Sequence, residues 1–373
     1  MKKLRLLHIV ETLCPSGTIR SLSSVIDRTS GGVWEHRVIA LQGGCFADRL
    51  TEAGASVRVL ANSATNSATT KIEAIRQANL SDWDLVHLWD SSTRRIIGPL
   101  SAALKRSPYI LSIRDPIAPK TWIGQRIENF VLNRAAAVVF NSPSLSAAVS
   151  NRLAGEAAAR ERFTVIDDVA AESPHEGRNP RGQHLRRELG IGDDVLVIGT
   201  AARITRHKDV RCLIFAGALM RLASERVRIV ILGDGPECEA LRRFCTLMRM
   251  DDLTVFMGSR LDAPSLIADF DVFVDCAVAD GPSLGIAEAQ AAGVPVVCAD
   301  SPVRRAQVEF DAGRLLFRAG DPGELTRRLY QLHNDAELRR RLGQLGACKS
   351  RCRRPLAEVA RDFTVLYESI AKR

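Results

Sequence analysis

The sequence predicts an α/β protein built as two doubly wound lobes, each a parallel sheet flanked by helices. Three observations carry this reading. Short apolar runs recur at spacings of ~20–30 residues. Stretches with apolar residues at helical spacing lie between them. The rhythm halts once, over a polar stretch rich in Pro and Gly from Ala171 to Gly192, and then restarts.

In the first half, Leu4–Val10 reads as a buried strand. Val38–Leu41, Ser56–Leu60, Leu85–Leu88, Tyr109–Ile113, Ala137–Phe140 and Thr164–Ile166 follow it. Helical patterns cover Ile19–Asp27, Ile72–Asn79 and Ile96–Leu104. In the second half the strands are Val195–Ala201, Val227–Leu232, Thr254–Met257, Val272–Asp275 and Val294–Cys298. The helices between them are Cys212–Ala223, Glu237–Met248, Pro264–Asp269 and Ser283–Ala292. The boundaries follow: a first domain over 1–172, a linker over 173–192 and a second domain over 193–355. After Pro355, the spacing of Leu356, Val359, Ala360, Phe363, Leu366, Tyr367 and Ile370 predicts a helix with one apolar face. Its default place is against the second lobe. Ligands of such sheets bind at the carboxyl ends of the strands, so the cleft between the lobes is the expected site.

At ~150 residues per domain, 373 residues suggest two domains. The chain is 46% apolar and 25% charged, which excludes a collagen, a disordered tail and a small disulfide scaffold. Its longest apolar runs, such as Val195–Ala202, fall far short of the ~20 residues of a membrane helix. Lys and Arg number 52 against 43 Asp and Glu, a net charge of +9 that suits an anionic partner. Nucleic acid is set aside, because aromatics are only 5% and no basic stripe interleaves with them. Nine cysteines, an odd count without a C-x-x-C, point to a reducing compartment. The opening Met1-Lys2-Lys3-Leu4 is not followed by an unbroken apolar region, since Arg5, His8 and Glu11 interrupt it. A cytoplasmic protein is the expectation.

Three segments carry candidate chemistry. The run Gly199-Thr-Ala-Ala-Arg203-Ile-Thr-Arg206-His207-Lys208-Asp209 ends a strand and puts two cations in the following turn. Arg203 offers a planar fork and Lys208 a compact charge, which suits a diphosphate. Taken alone, the pair reads first as solvated turn charges. In Leu232-Gly233-Asp234-Gly235-Pro236 the glycines let backbone approach a ligand or simply turn tightly. In Asp280-Gly281-Pro282-Ser283-Leu284-Gly285-Ile286-Ala287-Glu288, a strand leads to a helix that Ser283 can cap. The helix N-terminus favours phosphate. Glu288 suits ribose hydroxyls and Asp280 a sugar, while a helix-surface carboxylate and a turn residue are the plain alternatives.

These segments, with Val255-Phe256-Met257-Gly258, Gly293-Val294-Pro295-Val296-Val297, Ala312-Gly313-Arg314-Leu315-Leu316 and Gly320-Asp321-Pro322, resemble in order the family 4 (group 1) type of GT-B glycosyltransferase. The likeness runs from about Val195 to Gly346. In the first lobe Pro15-Ser16-Gly17-Thr18-Ile19-Arg20, Asp84-Leu85-Val86-His87-Leu88-Trp89 and Asn141-Ser142 are similar to that family's motifs, more loosely. The resemblance implies a GT-B fold and a hexosyltransferase that retains anomeric configuration. Its co-substrate is a nucleotide-diphosphate sugar of UDP or GDP type, with no metal and no cofactor. The acceptor is a glycan or lipid-linked, as in polysaccharide or glycolipid biosynthesis. Arg203 and Lys208 would hold and stabilise the departing diphosphate, and Asp280 would act beside them on the sugar. Gly281, Ser283, Leu284 and Gly285 would hold sugar and phosphate, Glu288 the ribose, and Gly258 and Arg260 the edge of the base. Gly233 completes the donor loop, and Gly17 would close on the phosphates from the first lobe. The final helix would return to the first lobe.

Departures from the pattern are visible. Asp280 replaces the usual Glu and is one methylene shorter. Asp167-Asp168-Val169-Ala170 replaces Asn-Gly-Val-Asp, Ser16 replaces a glycine, and Arg114 stands where a strand often ends in His. His87 and Arg114 are further candidates for donor or acceptor contact, although a histidine on an apolar strand is ordinarily a packing residue. Arg339-Arg340-Arg341, Lys349, Arg351, Arg353 and Arg354, and Arg94, Arg95, Lys105 and Arg106, read as solvated charges or as a peripheral contact with an anionic membrane at its inner face. The departures leave two other functions open: a degenerate GT-B protein that binds nucleotide or glycan without transfer, and a sugar-nucleotide isomerase.

Overall fold

The computed structural model describes residues 3–61, 73–74, 76, 82–89, 107–114, 122–152, 161–166, 184–224, 226–278, 281–308 and 315–371. The predicted helix Ile96–Leu104 lies outside them. Of Ile72–Asn79 only Glu73, Ala74 and Arg76 are described, and these are helical. The chain forms two compact units, one of residues 1–169 with 354–373 and one of residues 170–353.

The first unit contains a seven-stranded sheet. Its strands are β1 (Leu4–Thr12), β2 (Trp34–Gln42), β3 (Ser56–Val59), β4 (Leu85–Leu88), β5 (Tyr109–Ile113), β6 (Ala137–Phe140) and β7 (Phe163–Val165). Their order is β3-β2-β1-β4-β5-β6-β7, and every pair is parallel. The interior strands β4, β5 and β6 are buried along their whole length, as a sheet covered on both faces requires. Helices α1 (Gly17–Thr29), α2 (Ala47–Glu52), α3 (Trp122–Arg134) and α4 (Pro143–Arg152) belong to this unit. Two apolar clusters lie on its two faces. Leu7, Ile9, Val86, Leu88 and Leu111 point into one, and Leu6, Val10, Leu85 and Ile110 into the other. The second cluster also takes in Val359, Phe363, Tyr367 and Ile370, far away in sequence.

The second unit contains a six-stranded sheet. Its strands are β8 (Leu196–Ala201), β9 (Val227–Leu232), β10 (Thr254–Gly258), β11 (Val272–Asp275), β12 (Val296–Ala299) and β13 (Leu316–Phe317). The order β10-β9-β8-β11-β12-β13, again all parallel, reverses between β8 and β11. Helix α5 (His184–Leu189) comes first in this unit, followed by α6 (Val210–Arg221), α7 (Cys238–Leu247), α8 (Ala263–Ile267) and α9 (Leu284–Ala291). Then come α10 (Pro302–Gln307), α11 (Pro322–Asn334) and α12 (Ala336–Arg351). The caps are readable locally. Ser301 and Asp321 accept hydrogen bonds from the backbone of Arg304 and Glu324, and a proline opens each helix behind them.

Helix α5 lies within the stretch 173–192 that reads as linker in the sequence, of which residues 184–192 are described. Leu185 is fully buried in the second core, and its amide donates to Asp269 Oδ2 at 2.8 Å. Arg186 bridges Asp271 at 2.7 Å. The flanking Pro and Gly hid a six-residue helix whose anchors lie more than 80 positions downstream. The last helix, α13 (Leu356–Ala371), packs on α1 and β4 of the first unit. No described helix is long and apolar enough to cross a membrane, and all nine cysteines are free thiols.

Candidate functional site

In an open parallel sheet, the turns that leave neighbouring strands in opposite directions open a crevice where the strand order reverses. In the second unit that place lies beyond the carboxyl ends of β8 and β11. Arg203 leaves β8 in a turn that continues into a short 3₁₀ helix, Arg206–Lys208. Arg203 and Lys208 are both half-buried there, whereas Arg206 and His207 are exposed. The turn after β11 is tied to this one, since Val278 N donates to the His207 carbonyl at 2.9 Å.

Ser283 closes the β11 turn and caps α9, its hydroxyl accepting from Ile286 N at 3.4 Å. The first turn of α9 sits hard against the strands: a Cβ on Gly285 would fall 2.7 Å from the Phe273 ring and 3.1 Å from the Ala201 carbonyl. Only glycine lets the helix N-terminus come this close to the end of β8. Gly281 is buried beside it and Leu284 half-buried. Glu288 is only 5% exposed, so the surface-carboxylate reading does not hold. A carboxylate is rarely buried on a helix without a partner or a ligand. Asp280 lies outside the described residues.

Asp275, at the end of β11, was not foreseen as part of this site. Burial alone would raise its carboxyl. The Arg304 guanidinium, the Lys208 ammonium, the Ser283 hydroxyl and the Ala277 amide outweigh that and hold it below the usual carboxylate range. Arg304 is fully buried and donates from Nε to Asp275 Oδ1 at 3.2 Å. Asp275 therefore draws together the Lys208 turn, the cap of α9 and α10.

Gly233 and Gly235 have a scaffolding role that their sequence did not disclose. Gly233 has φ +132°, and a Cβ there would lie 1.9 Å from the Ala202 carbonyl; one on Gly235 would lie 2.2 Å from that of Ile204. Ala202 N donates to Leu232 O at 3.0 Å and Ile204 N to Asp234 O at 2.9 Å, on either side of Arg203. Gly233 N in turn donates to Gly258 O at 2.7 Å. The glycines thus seat the Arg203 turn against the β9 and β10 turns. The Arg260 guanidinium is occupied: it pairs with Asp262 at 2.8 Å and with Glu188 of α5 at 2.9 Å.

The other predicted residues lie apart from this crevice or in the first unit. Gly17 opens α1 just beyond β1, and Ser16, in place of the usual glycine, caps that helix by accepting from Ile19 N at 3.3 Å. His87 is fully buried, with Nδ1 2.8 Å from the Tyr367 hydroxyl and Nε2 2.8 Å from Ser112 Oγ. Both nitrogens are satisfied inside the core, where His87 acts as a packing residue. Arg114 lies over the Trp89 ring, 5.3 Å from its centroid. Much of the basic cluster is tied down within the second unit. Arg339 donates to the carbonyls that end α11, Lys349 to Ala306 O at 2.8 Å and Arg353 to Gln290 Oε1 at 2.6 Å. Arg94, Arg95, Lys105, Arg106 and Asp167–Ala170 lie outside the described residues.

Beside His87 runs a hydrogen-bond chain with a single direction. Trp89 Nε1 can only donate, and it does so to His8 Nδ1 at 3.0 Å. His8 Nε2 must then donate to His36 Nδ1 at 3.0 Å, and His36 Nε2 to Thr29 Oγ1 at 2.9 Å. The Thr29 hydroxyl donates onward to Val25 O at 2.6 Å. Burial depresses the basicity of both histidines: His8 lies well below its ordinary value, and His36 is lowered to about 4. One signal for this chain exists in the sequence: His8 stands inside an apolar run, where a histidine needs a buried partner.

Among the described residues no group of acidic, histidine or cysteine side chains could hold a metal ion. Residues 194–335 match the family model of the Glycosyl transferases group 1, and residues 16–166 that of the Glycosyl transferase 4-like domain. EpsD of Bacillus subtilis (strain 168) is 26% identical over 187 residues, 50% of this chain and 49% of EpsD. The alpha-monoglucosyldiacylglycerol synthase of Streptococcus pneumoniae is 27% identical over 124 residues, 32% of this chain and 28% of that protein. The chain thus spans about half the length of EpsD and less of the synthase. The crystal structure of Anabaena HepE in complex with UDP and glucose has the same fold, with a TM-score of 0.80 at 19% identity, covering 98% of this chain and 100% of that one. With family models matching each half and the paired parallel sheets shared with HepE, the chain belongs to the group 1 glycosyltransferases of the GT-B fold.

Proposed function

We propose that this chain is a retaining, metal-independent glycosyltransferase that moves a hexosyl group from a UDP- or GDP-sugar to a glycan or lipid-linked acceptor. The observation that carries the proposal is the crevice between β8 and β11, where two half-buried cations, a capped helix N-terminus and a buried carboxylate meet. Arg203, Lys208 and the first amides of α9 suit a diphosphate. Glu288 would accept hydrogen bonds from ribose hydroxyls. Asp280 with Gly281 would hold the sugar, and the Gly258–Arg260 turn would border the base through its backbone. In HepE the crystal holds UDP and glucose, which supports this donor class. The synthase of Streptococcus pneumoniae, named for a glycolipid product, supports a lipid-linked acceptor; a peripheral, inner-face site at an anionic membrane of the cytoplasm would suit it.

The chemistry needs no side-chain nucleophile. The bond from the anomeric carbon to the diphosphate oxygen breaks as the acceptor hydroxyl attacks from the same face. The departing phosphate oxygen takes the hydroxyl proton, and Arg203 and Lys208 stabilise the charge that develops there.

The test is thermal unfolding without metal, with UDP, GDP, ADP and CMP in turn. A ligand at 100 times its dissociation constant adds about 2.7 kcal/mol. We expect a rise of roughly 2 °C or more with UDP or GDP that Arg203→Ala abolishes. Absence of any rise in the wild type would overturn the donor site.

A further inference from the structure

We infer that Gln307 is a positioning residue for the donor, clasping the backbone of Ser283 so that the N-terminus of α9 stays aimed at the diphosphate. This rests on the nucleotide-sugar reading above and assigns the group that fixes its helix. Gln307 ends α10, 24 positions beyond Ser283. Its Oε1 accepts from Ser283 N at 3.1 Å, and its Nε2 donates to Ser283 O at 3.0 Å. A single amide thus satisfies both backbone groups of the capping residue, as a neighbouring strand would.

The backbone that carries Gln307 is held from outside. Arg353 has only donors, so Gln290 must present Oε1 to it, at 2.6 Å. Gln290 is fully buried, and its Nε2 is thereby turned to donate to the Gln307 carbonyl at 2.8 Å. Backbone and cation partners leave neither amide a flipped alternative. Ser283 is held from a second side by the same short helix. Its hydroxyl bonds Asp275, and Asp275 pairs with Arg304, three residues before Gln307. Helix α10 therefore grips the cap through both backbone and side chain. A part-buried network whose members hold one another in this way favours one geometry.

A merely structural clasp and a positioning clasp predict different readouts. The experiment measures the calorimetric Kd for UDP and GDP, KM and kcat for the matching sugar nucleotide, and the unliganded melting temperature. It compares wild type, Gln307→Met, Gln307→Glu and Arg353→Ala. Gln307→Met removes both bonds at nearly constant volume, and we expect nucleotide Kd and donor KM to rise about tenfold with kcat within about twofold. Gln307→Glu keeps the acceptor but sets a carboxylate against the Ser283 carbonyl, and it should not restore binding. Arg353→Ala frees Gln290 without touching the cap, and a two- to threefold rise in Kd of about the same sense is expected. If Gln307→Met does not fold, Arg353→Ala decides. A lowered melting temperature with unchanged Kd and KM in these variants overturns the assignment while leaving the donor site intact. A wild type that binds neither nucleotide overturns the donor reading and this assignment with it.

Discussion

Arg203 is aimed by glycines it does not touch. The Ala202 carbonyl leans into the space a Cβ would occupy on Gly233, at a backbone angle that an L side chain rarely adopts. Gly233→Ala should therefore destabilise the second unit by about 2 kcal/mol or more and push the Arg203 turn off its seat. Urea unfolding and UDP or GDP titration on the same variant check this; an unchanged Kd would show that the turn does not depend on its seat. The residue-level chemistry divides cleanly into what was legible and what was not. Arg203, Lys208, Ser283 and Glu288 stand out as candidates because the first two lie in the turn that ends a strand and the last two at the cap and on the face of the helix that follows β11. Asp275, Arg304 and Gln307 carry no such mark, because the pairs Asp275–Arg304 and Ser283–Gln307 join residues 29 and 24 positions apart that meet only in the folded unit. At Gly233 the sequence leaves the reason open: a glycine that admits a ligand and one that admits a neighbouring carbonyl look alike in sequence, and the structure shows the carbonyl of Ala202 there.

At the scale of elements, α5 and α13 show opposite fates of apolar pattern. Helix α13 was plain in the sequence because Val359, Phe363, Tyr367 and Ile370 repeat at helical spacing, and these residues are buried in the first unit's core. Helix α5 has too few turns to show a period, and only Leu185, with Leu189 half-buried beside it, anchors it in the core. The grip of α13 is polar as well as apolar, through the Tyr367 hydroxyl on His87. Tyr367→Phe leaves one nitrogen of a buried imidazole unsatisfied, and we expect a loss of about 1–3 kcal/mol in urea unfolding. Phe at this position keeps the ring edge-on to Trp34 and His87 and tilted against Phe363. An unchanged midpoint would therefore mean that the hydroxyl contributes nothing.

At the scale of the molecule, the first unit carries a built-in response to acid. His8, His36 and His87 are held neutral in the first unit, all with basicity depressed by burial. The unfolded chain protonates its histidines near pH 6.5, so below that pH it binds more protons than the folded unit. Stability is complete above about pH 6.5 and falls as pH drops, by about 1.4 kcal/mol per unit for each such histidine. For His36 the loss ends at about pH 4. All four tryptophans, Trp34, Trp83, Trp89 and Trp122, lie in the first unit, so tryptophan fluorescence during urea unfolding at pH 7.5 and 5.0 reads this directly. The midpoint should fall at pH 5.0, and His36→Gln should flatten the slope. A midpoint independent of pH would mean that the histidines are charged in the folded state.

Helix α13 completes a core that begins at β1, so synthesis imposes an order on this chain. A ribosome delivers residues from the amino end, at rates that leave seconds between the first strand and the last helix. The first unit emerges early but lacks Val359, Phe363 and Tyr367, and the face of its sheet that they cover is bare meanwhile. The second unit has its whole core in one continuous stretch and can finish before it. The part made first is thus the part finished last.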